Sequence, residues 1–114
     1  MNILQNSQYQ KILSHGMKML GDAWILLIID QLRKKEKRFS QIEKEILNIN
    51  PVTLTKRLKK MEQCHLIERD EQAKQTVYYR LTERGQELLP IIDSIEAYIH
   101  KHVQAEDCIC KKDQ

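Results

Sequence analysis

A chain of 114 residues with three Gly, two Pro and 5% aromatic side chains describes one mostly helical domain, because a β-sandwich needs more aromatics and more turn formers. Nineteen basic and 16 acidic residues leave +3, and the longest apolar run, residues 23–29, falls far short of the roughly 18 residues of a membrane span. Residues 1–6 lack the basic-then-apolar order of an export signal and three Cys is an odd number without framework spacing, so the expected setting is a reducing cytoplasm, away from any membrane.

Residues 1–8 read as an N-terminal arm. Over residues 9–20, Ile12, Leu13, Met17 and Leu20 recur at the spacing of one helical face, and Gly21 stops that helix. Asp22 then caps a second helix, residues 23–33, whose Trp24, Ile25, Leu26, Leu27, Ile28, Ile29 and Leu32 are apolar almost all round, as befits an element covered on every side. A basic loop, 34–38, leads to Phe39-Ser40-Gln41-Ile42-Glu43. Ser40 and Glu43 stand as a capping box with Phe39 as the staple, which starts a short third helix ending near Asn48.

Asn50-Pro51 opens the fourth helix, Asn capping orphan N–H groups and Pro losing no bond at the first helical position. Leu54, Leu58 and Met61 make one apolar stripe. At 100° per residue the opposite face shows Val52, Thr53, Lys56, Lys59, Lys60 and Gln63, with Thr55 and Arg57 on its flanks. Next come residues 66–70, a polar turn at 71–75 and the alternating Thr76-Val77-Tyr78-Tyr79-Arg80-Leu81, which together predict a β-hairpin. Thr82 caps a long last helix with Leu88, Ile92, Ile95 and Ile99 in line, and Pro90 either kinks it or lies in its first turn. Residues 103–114 read as a mobile tail.

Charge is unevenly spread along this plan. Residues 33–60 hold ten basic and three acidic side chains, a net of +7, whereas residues 82–110 hold two basic and six acidic ones, a net of −4. Ordinary solvated helix faces carry charge too, but a basic centre suggests a polyanionic partner. Helix, turn, helix with a polar basic second member, then a hairpin, is the winged helix-turn-helix arrangement: mainly α, with a small β-hairpin wing. A helix about 10 to 12 Å across enters a major groove about 12 Å wide. The expected contacts to double-stranded DNA are Ser40, Gln41, Val52, Thr53, Thr55, Lys56, Arg57, Lys59 and Lys60, with Lys74 and Gln75 at the wing tip. Of these, Lys59 and Lys60 suit phosphates, while Thr53, Thr55 and Lys56 lie near the base edges.

Four segments sharpen this reading: Leu20-Gly21-Asp22-Ala23-Trp24-Ile25-Leu26-Leu27-Ile28, Arg38-Phe39-Ser40-Gln41-Ile42, Leu54-Thr55-Lys56-Arg57-Leu58, and Tyr79-Arg80-Leu81-Thr82-Glu83-Arg84-Gly85. In that order they resemble the signature segments of the HxlR-type winged-helix transcriptional regulators of bacteria. The likeness runs over residues 9–102. It implies a homodimeric DNA-binding regulator, usually a repressor, with its first and last helices in the dimer interface and with relatives that often sense electrophiles, oxidants or aldehydes. The apolar line on the last helix exceeds what one small core covers, so Ile12, Leu13, Leu88, Ile92, Ile95 and Ile99 are the expected dimerisation residues.

Two features depart from the family pattern. Many members carry a reactive Cys thirteen residues before the Trp of their Gly-Gly-Lys-Trp segment, and here that position is Lys11. The Pro-Pro step of many wings is also missing from Ala73-Lys74-Gln75-Thr76. The thiols present are Cys64, at a helix C-terminus whose dipole favours the neutral form, and Cys108 and Cys110 on the tail. Regulation by a small-molecule effector held between the terminal helices and the central helix is therefore expected in preference to a redox switch. Trp24 and Phe39 read as core anchors. His100 and His102, two apart on a helix, point away from each other, so no metal site is expected, and no cofactor either. Without a glycine-rich phosphate loop, a His-Glu-x-x-His or a serine elbow, the sequence does not read as an enzyme. A metal-responsive regulator and a winged-helix protein–protein adaptor are the alternatives.

Overall fold

A computed structural model describes residues 7–73 and 76–103. The elements are α1 (Ser7–Leu20), α2 (Ala23–Leu32), β1 (Lys37–Arg38), α3 (Phe39–Glu45), α4 (Pro51–Gln63), β2 (Ile67–Ala73), β3 (Thr76–Leu81), α5 (Glu83–Gln86) and α6 (Leu89–His102). Most of the expected arm and tail lies outside the described residues; α1 already includes Ser7 and Gln8, and Val103 caps α6. Among the described residues no single helix is long and apolar enough to cross a membrane.

The core is built where the stripes predicted it. Ile25, Ile28, Ile29 and Leu32 of α2 meet Ile42 of α3, Leu54, Leu58 and Met61 of α4, and Leu66, Ile67 and Leu81 at the foot of the hairpin, all buried. Trp24, Phe39 and Cys64 pack partly buried against this cluster. Asp22 caps α2 by accepting from the Ile25 N–H at 3.2 Å. Coverage of α2 is incomplete, however: Leu27 stays 45% exposed, because α6 crosses α2 on one side only and neither α1 nor α6 contributes a fully buried residue.

Four parts of the chain differ from the sequence expectation. The end of the basic loop is a strand, β1, and it joins a three-stranded antiparallel sheet in the order β1-β3-β2, with Lys37 opposite Tyr79 and Arg38 opposite Tyr78. Extended backbone at Arg38 moves the start of α3 back to Phe39. Ser40 thus falls inside the first turn, and the cap is made by Gln41, whose Oε1 accepts from the Arg38 N–H at 2.9 Å. The helix also ends early, at Glu45, before a turn in which Asn48 takes φ 67°, a conformation Asn tolerates well. The expected polar turn at 71–75 is shorter, since β2 continues to Ala73 with an irregular register after Asp70. At the C-terminus the single long helix is two. Thr82 caps only α5, and α6 restarts at Leu89 with Pro90 in its first turn, where the missing N–H costs nothing.

The join between α4 and the hairpin is tightly made. Cys64 ends the helix, His65 adopts φ 61°, and the N–H groups of His65 and Leu66 return to the carbonyls of Glu62 and Met61 at 3.0 and 2.9 Å, a Schellman closure with His in the usual Gly place. The Thr82 hydroxyl donates to the His65 carbonyl at 2.6 Å and accepts from the Gly85 N–H at 3.1 Å. A Cβ on Gly85 would lie 2.2 Å from the Leu66 carbonyl oxygen, so only glycine lets α5 approach the strand this closely.

Candidate nucleic-acid interface

The fourth helix presents two unlike sides. Its N-terminus is closed by Asn50, whose Oδ1 accepts from the Thr53 N–H at 2.8 Å, and Pro51 follows at the first turn. Leu54, Leu58 and Met61 are essentially inaccessible, which fixes the roll of the helix about its axis. Val52 is then left 63% exposed, and Thr55, Lys56, Lys59, Lys60 and Gln63 are exposed with it, while Thr53 is half-buried beneath the cap. Three ammonium groups and a short polar and methyl-bearing N-terminal turn thus share one open surface, the chemistry that a phosphate backbone and base edges require.

Not every predicted contact stands on that surface. Arg57 is turned to the inner flank, where its Nε donates to Asp22 Oδ2 at 2.9 Å and both side chains are largely covered. It was expected among the DNA contacts from the flank of the helix, and on that flank a carboxylate engages it. Ser40 is exposed at the start of α3, whereas the Gln41 side chain is engaged in the Arg38 cap. Lys74 and Gln75 lie outside the described residues.

Two residues not foreseen lie beside α4. Arg69 and Tyr79 sit opposite each other on β2 and β3, and with Phe39, Thr55, Leu58, Lys59 and Glu62 they line a cleft of about 340 Å³ between the helix and the sheet. The Arg69 guanidinium faces the Tyr79 hydroxyl and pairs with Glu71, and the two together raise its pKa above the ordinary value. Strand alternation was the available signal, since the face of β3 that carries Tyr79 and Leu81 turns toward the helices. Arg80, one residue on, belongs to the other face. There it meets Asp70 at 2.6 Å, Glu68 at 3.2 Å and Glu36 at 3.5 Å, and the first two hold its pKa up. Three carboxylates thus surround one guanidinium on that face of the sheet.

The terminal helices expose large apolar groups beside their charged ones. On α1, Ile12 is 62% and Met17 64% exposed, with Leu13 open as well; on α6, Ile95 and Ile99 are open beside Ile91 and Tyr98. Leu88 and Ile92, expected in the same set, instead lean onto the core of their own chain. Between α2 and α6 runs a groove of about 340 Å³ lined by Leu26, Leu27, Ile92, Ile95 and Ile99, with Asp30 and Glu96 at its rim. The Arg33 guanidinium bridges Asp30 and, at 2.8 Å, Asp93 of α6, and the Asp93 bond raises its pKa. Lys11 is exposed on α1, and Cys64 is a half-buried free thiol. His100 and His102 are exposed on α6, where the His102 ring lies 4.7 Å from that of Tyr98; Cys108 and Cys110 lie outside the described residues. Among the described residues no group of three or more His, Cys, Asp or Glu is arranged to hold a metal ion.

Residues 19–107 match the family described as HxlR-like helix-turn-helix. The chain is similar to the HTH-type transcriptional regulator YodB of Bacillus subtilis (strain 168), at 31% identity over 101 residues that span 87% of this chain and 90% of that protein. Among solved structures it is similar to quinone-bound YodB from B. subtilis, with a TM-score of 0.68 and 32% identity over 78% of this chain and 94% of that one. A MarR-family transcriptional regulator from Porphyromonas gingivalis W83 also superimposes, with a TM-score of 0.71 and 29% identity over 81% of this chain and 91% of that one.

Proposed function

The chain belongs to the HxlR-like helix-turn-helix family, and from that premise we propose that it is a cytoplasmic repressor that binds a pseudo-palindromic operator as a homodimer. Its general activity follows from the family: it is a DNA-binding transcriptional regulator and not an enzyme. The observation that carries the finer reading is α4, with Leu54, Leu58 and Met61 buried and Val52, Thr55, Lys56, Lys59 and Lys60 turned outward on a capped helix.

In this reading residues 9–102 form the working unit. Lys59 and Lys60 neutralise phosphates, Val52, Thr53, Thr55 and Lys56 approach base edges in the major groove, and Ser40 and Gln41 lie beside the backbone next to them. A second copy covers the exposed side chains of α1 and α6, above all Ile12, Leu13, Ile95 and Ile99. Two recognition helices related by a two-fold axis then read half-sites about 34 Å apart. The α2–α6 groove favours a small apolar effector, and YodB is a relative whose structure has been solved with a quinone bound. Thiol oxidation is the weaker device here, with Lys11 on α1 and Cys64 half-buried against the core.

The test is to select bound duplexes from fragmented genomic DNA and to measure their affinity as salt is varied. If about six phosphates are neutralised per dimer, affinity falls roughly a thousandfold or more between about 50 and 200 mM salt. A flat salt response overturns the proposal.

A further inference from the structure

Asp22 occupies the corner where α1 ends and α2 begins. The corner is tight: the Gly21 N–H bonds the Met17 carbonyl at 2.7 Å, a Cβ on Gly21 would come within 2.9 Å of that oxygen, and the two helices bend by 60°. One carboxylate oxygen, Oδ1, caps α2 through the Ile25 N–H, and the other, Oδ2, accepts from Arg57 Nε in the middle of α4 at 2.9 Å. The Asp22 side chain is 23% exposed and that of Arg57 29%, so the pair is shielded from competing ions more than an ordinary surface pair. At the corner where α1 ends, a single side chain therefore ties the start of α2 to the flank of the recognition helix, across 35 residues of sequence.

We infer that Arg57 is a positioning residue rather than a phosphate contact: with Asp22 it forms a strut that sets the recognition helix against the α1–α2 corner. This rests on the DNA-binding reading of α4 given above. The apolar stripe of α4 fixes which side faces inward, but a stripe of three side chains permits small rolls and slides along its axis. A directional hydrogen bond from a planar guanidinium to a carboxylate locked by its own capping duty removes that freedom. The geometry also gives α1 a line to the DNA surface. Anything that docks on Ile12, Leu13 and Met17 and shifts the corner moves Asp22, and through it the helix that carries Thr55, Lys56 and Lys59.

The experiment uses the whole chain and four forms: the parent, Asp22→Asn, Arg57→Gln and the double variant. Asn caps a helix as well as Asp does, so Asp22→Asn removes the strut while sparing α2, and thermal melts of all four forms verify folding. The readout is the ratio of affinities for the duplex selected from a random-sequence pool and for the unselected pool, with the salt slope of each. A strut predicts that each single substitution lowers the ratio about fivefold, that the double variant is no worse than either, and that the slope on the pool does not change. Direct phosphate binding by Arg57 predicts the opposite pattern. Asp22→Asn would then tighten binding to both DNAs, and Arg57→Gln would flatten the slope by about one unit for each phosphate no longer neutralised. An unchanged ratio in Asp22→Asn overturns the strut alone, while a parent that binds neither DNA overturns the DNA reading and the strut with it.

Discussion

The recognition helix and the terminal helices solve the problem of amphipathicity in opposite ways. The apolar stripe of α4 is closed within its own chain, and apart from Val52 what the helix turns outward is ammonium, hydroxyl and amide. On α1 and α6 no residue is fully buried, and what they turn outward includes Ile12, Leu13, Met17, Ile95 and Ile99. The first pattern is that of an element finished by folding, whereas the second leaves apolar surface open, which the proposed dimer covers. The two patterns are what the proposed charged partner of α4 and the proposed apolar partner of α1 and α6 rest on.

If that contrast is right, truncation inside the closed half is the most damaging change. Leu54→Ala empties a site of zero exposure and is expected to cost about 3 kcal/mol in chemical denaturation, against about 0.5 kcal/mol or less for a comparable truncation at exposed Met17 in a monomeric background. Equal losses would erase the distinction. Next in size, Ile95→Glu together with Ile99→Glu is expected to halve the mass seen by light scattering while the circular dichroism spectrum stays that of the parent. A dimer that persists places the association surface elsewhere. The smallest effects sharpen the α4 side. Lys60→Ala is expected to weaken selected and random DNA alike and to lower the salt slope by about one per protomer, whereas Thr53→Ala or Lys56→Ala changes preference at one base position by about 1 to 3 kcal/mol. Binding to a panel of single-base operator variants separates the two behaviours.

What could be read from the sequence was what local chemistry decides. The caps at Asp22 and Asn50 involve partners within a few residues, the stripe Leu54-Leu58-Met61 repeats within one helix, and all were legible. The two-residue strand β1 was not, because Lys37 and Arg38 carry no strand pattern of their own and are extended only through pairing with Tyr79 and Tyr78. That same distant pairing displaced the predicted cap from Ser40 and Glu43 to Arg38 and Gln41. Pro90 announced an interruption, but only the packing of Leu88 and Leu89 onto the core decides that the chain restarts a helix there rather than bending one. On α4 a helical wheel set Lys56, Lys59 and Lys60 on the outer face and Arg57 on its flank, but it had no means of seeing a carboxylate at Asp22. Arg69 and Tyr79 were missed because the sheet brings them to α4 from another part of the chain.

The joint at Gly85 bears on the wing as mechanics. With the Thr82 hydroxyl holding both the His65 carbonyl and the Gly85 N–H, and with no room for a Cβ between α5 and the Leu66 carbonyl, the foot of the hairpin is a clamped beam end. The seven residues of β2, at about 3.3 Å each, make an arm of roughly 20 Å, so a tilt of about five degrees at the clamp sweeps its far end by nearly 2 Å. The direction of the hairpin is thus governed at a glycine and a threonine at its foot.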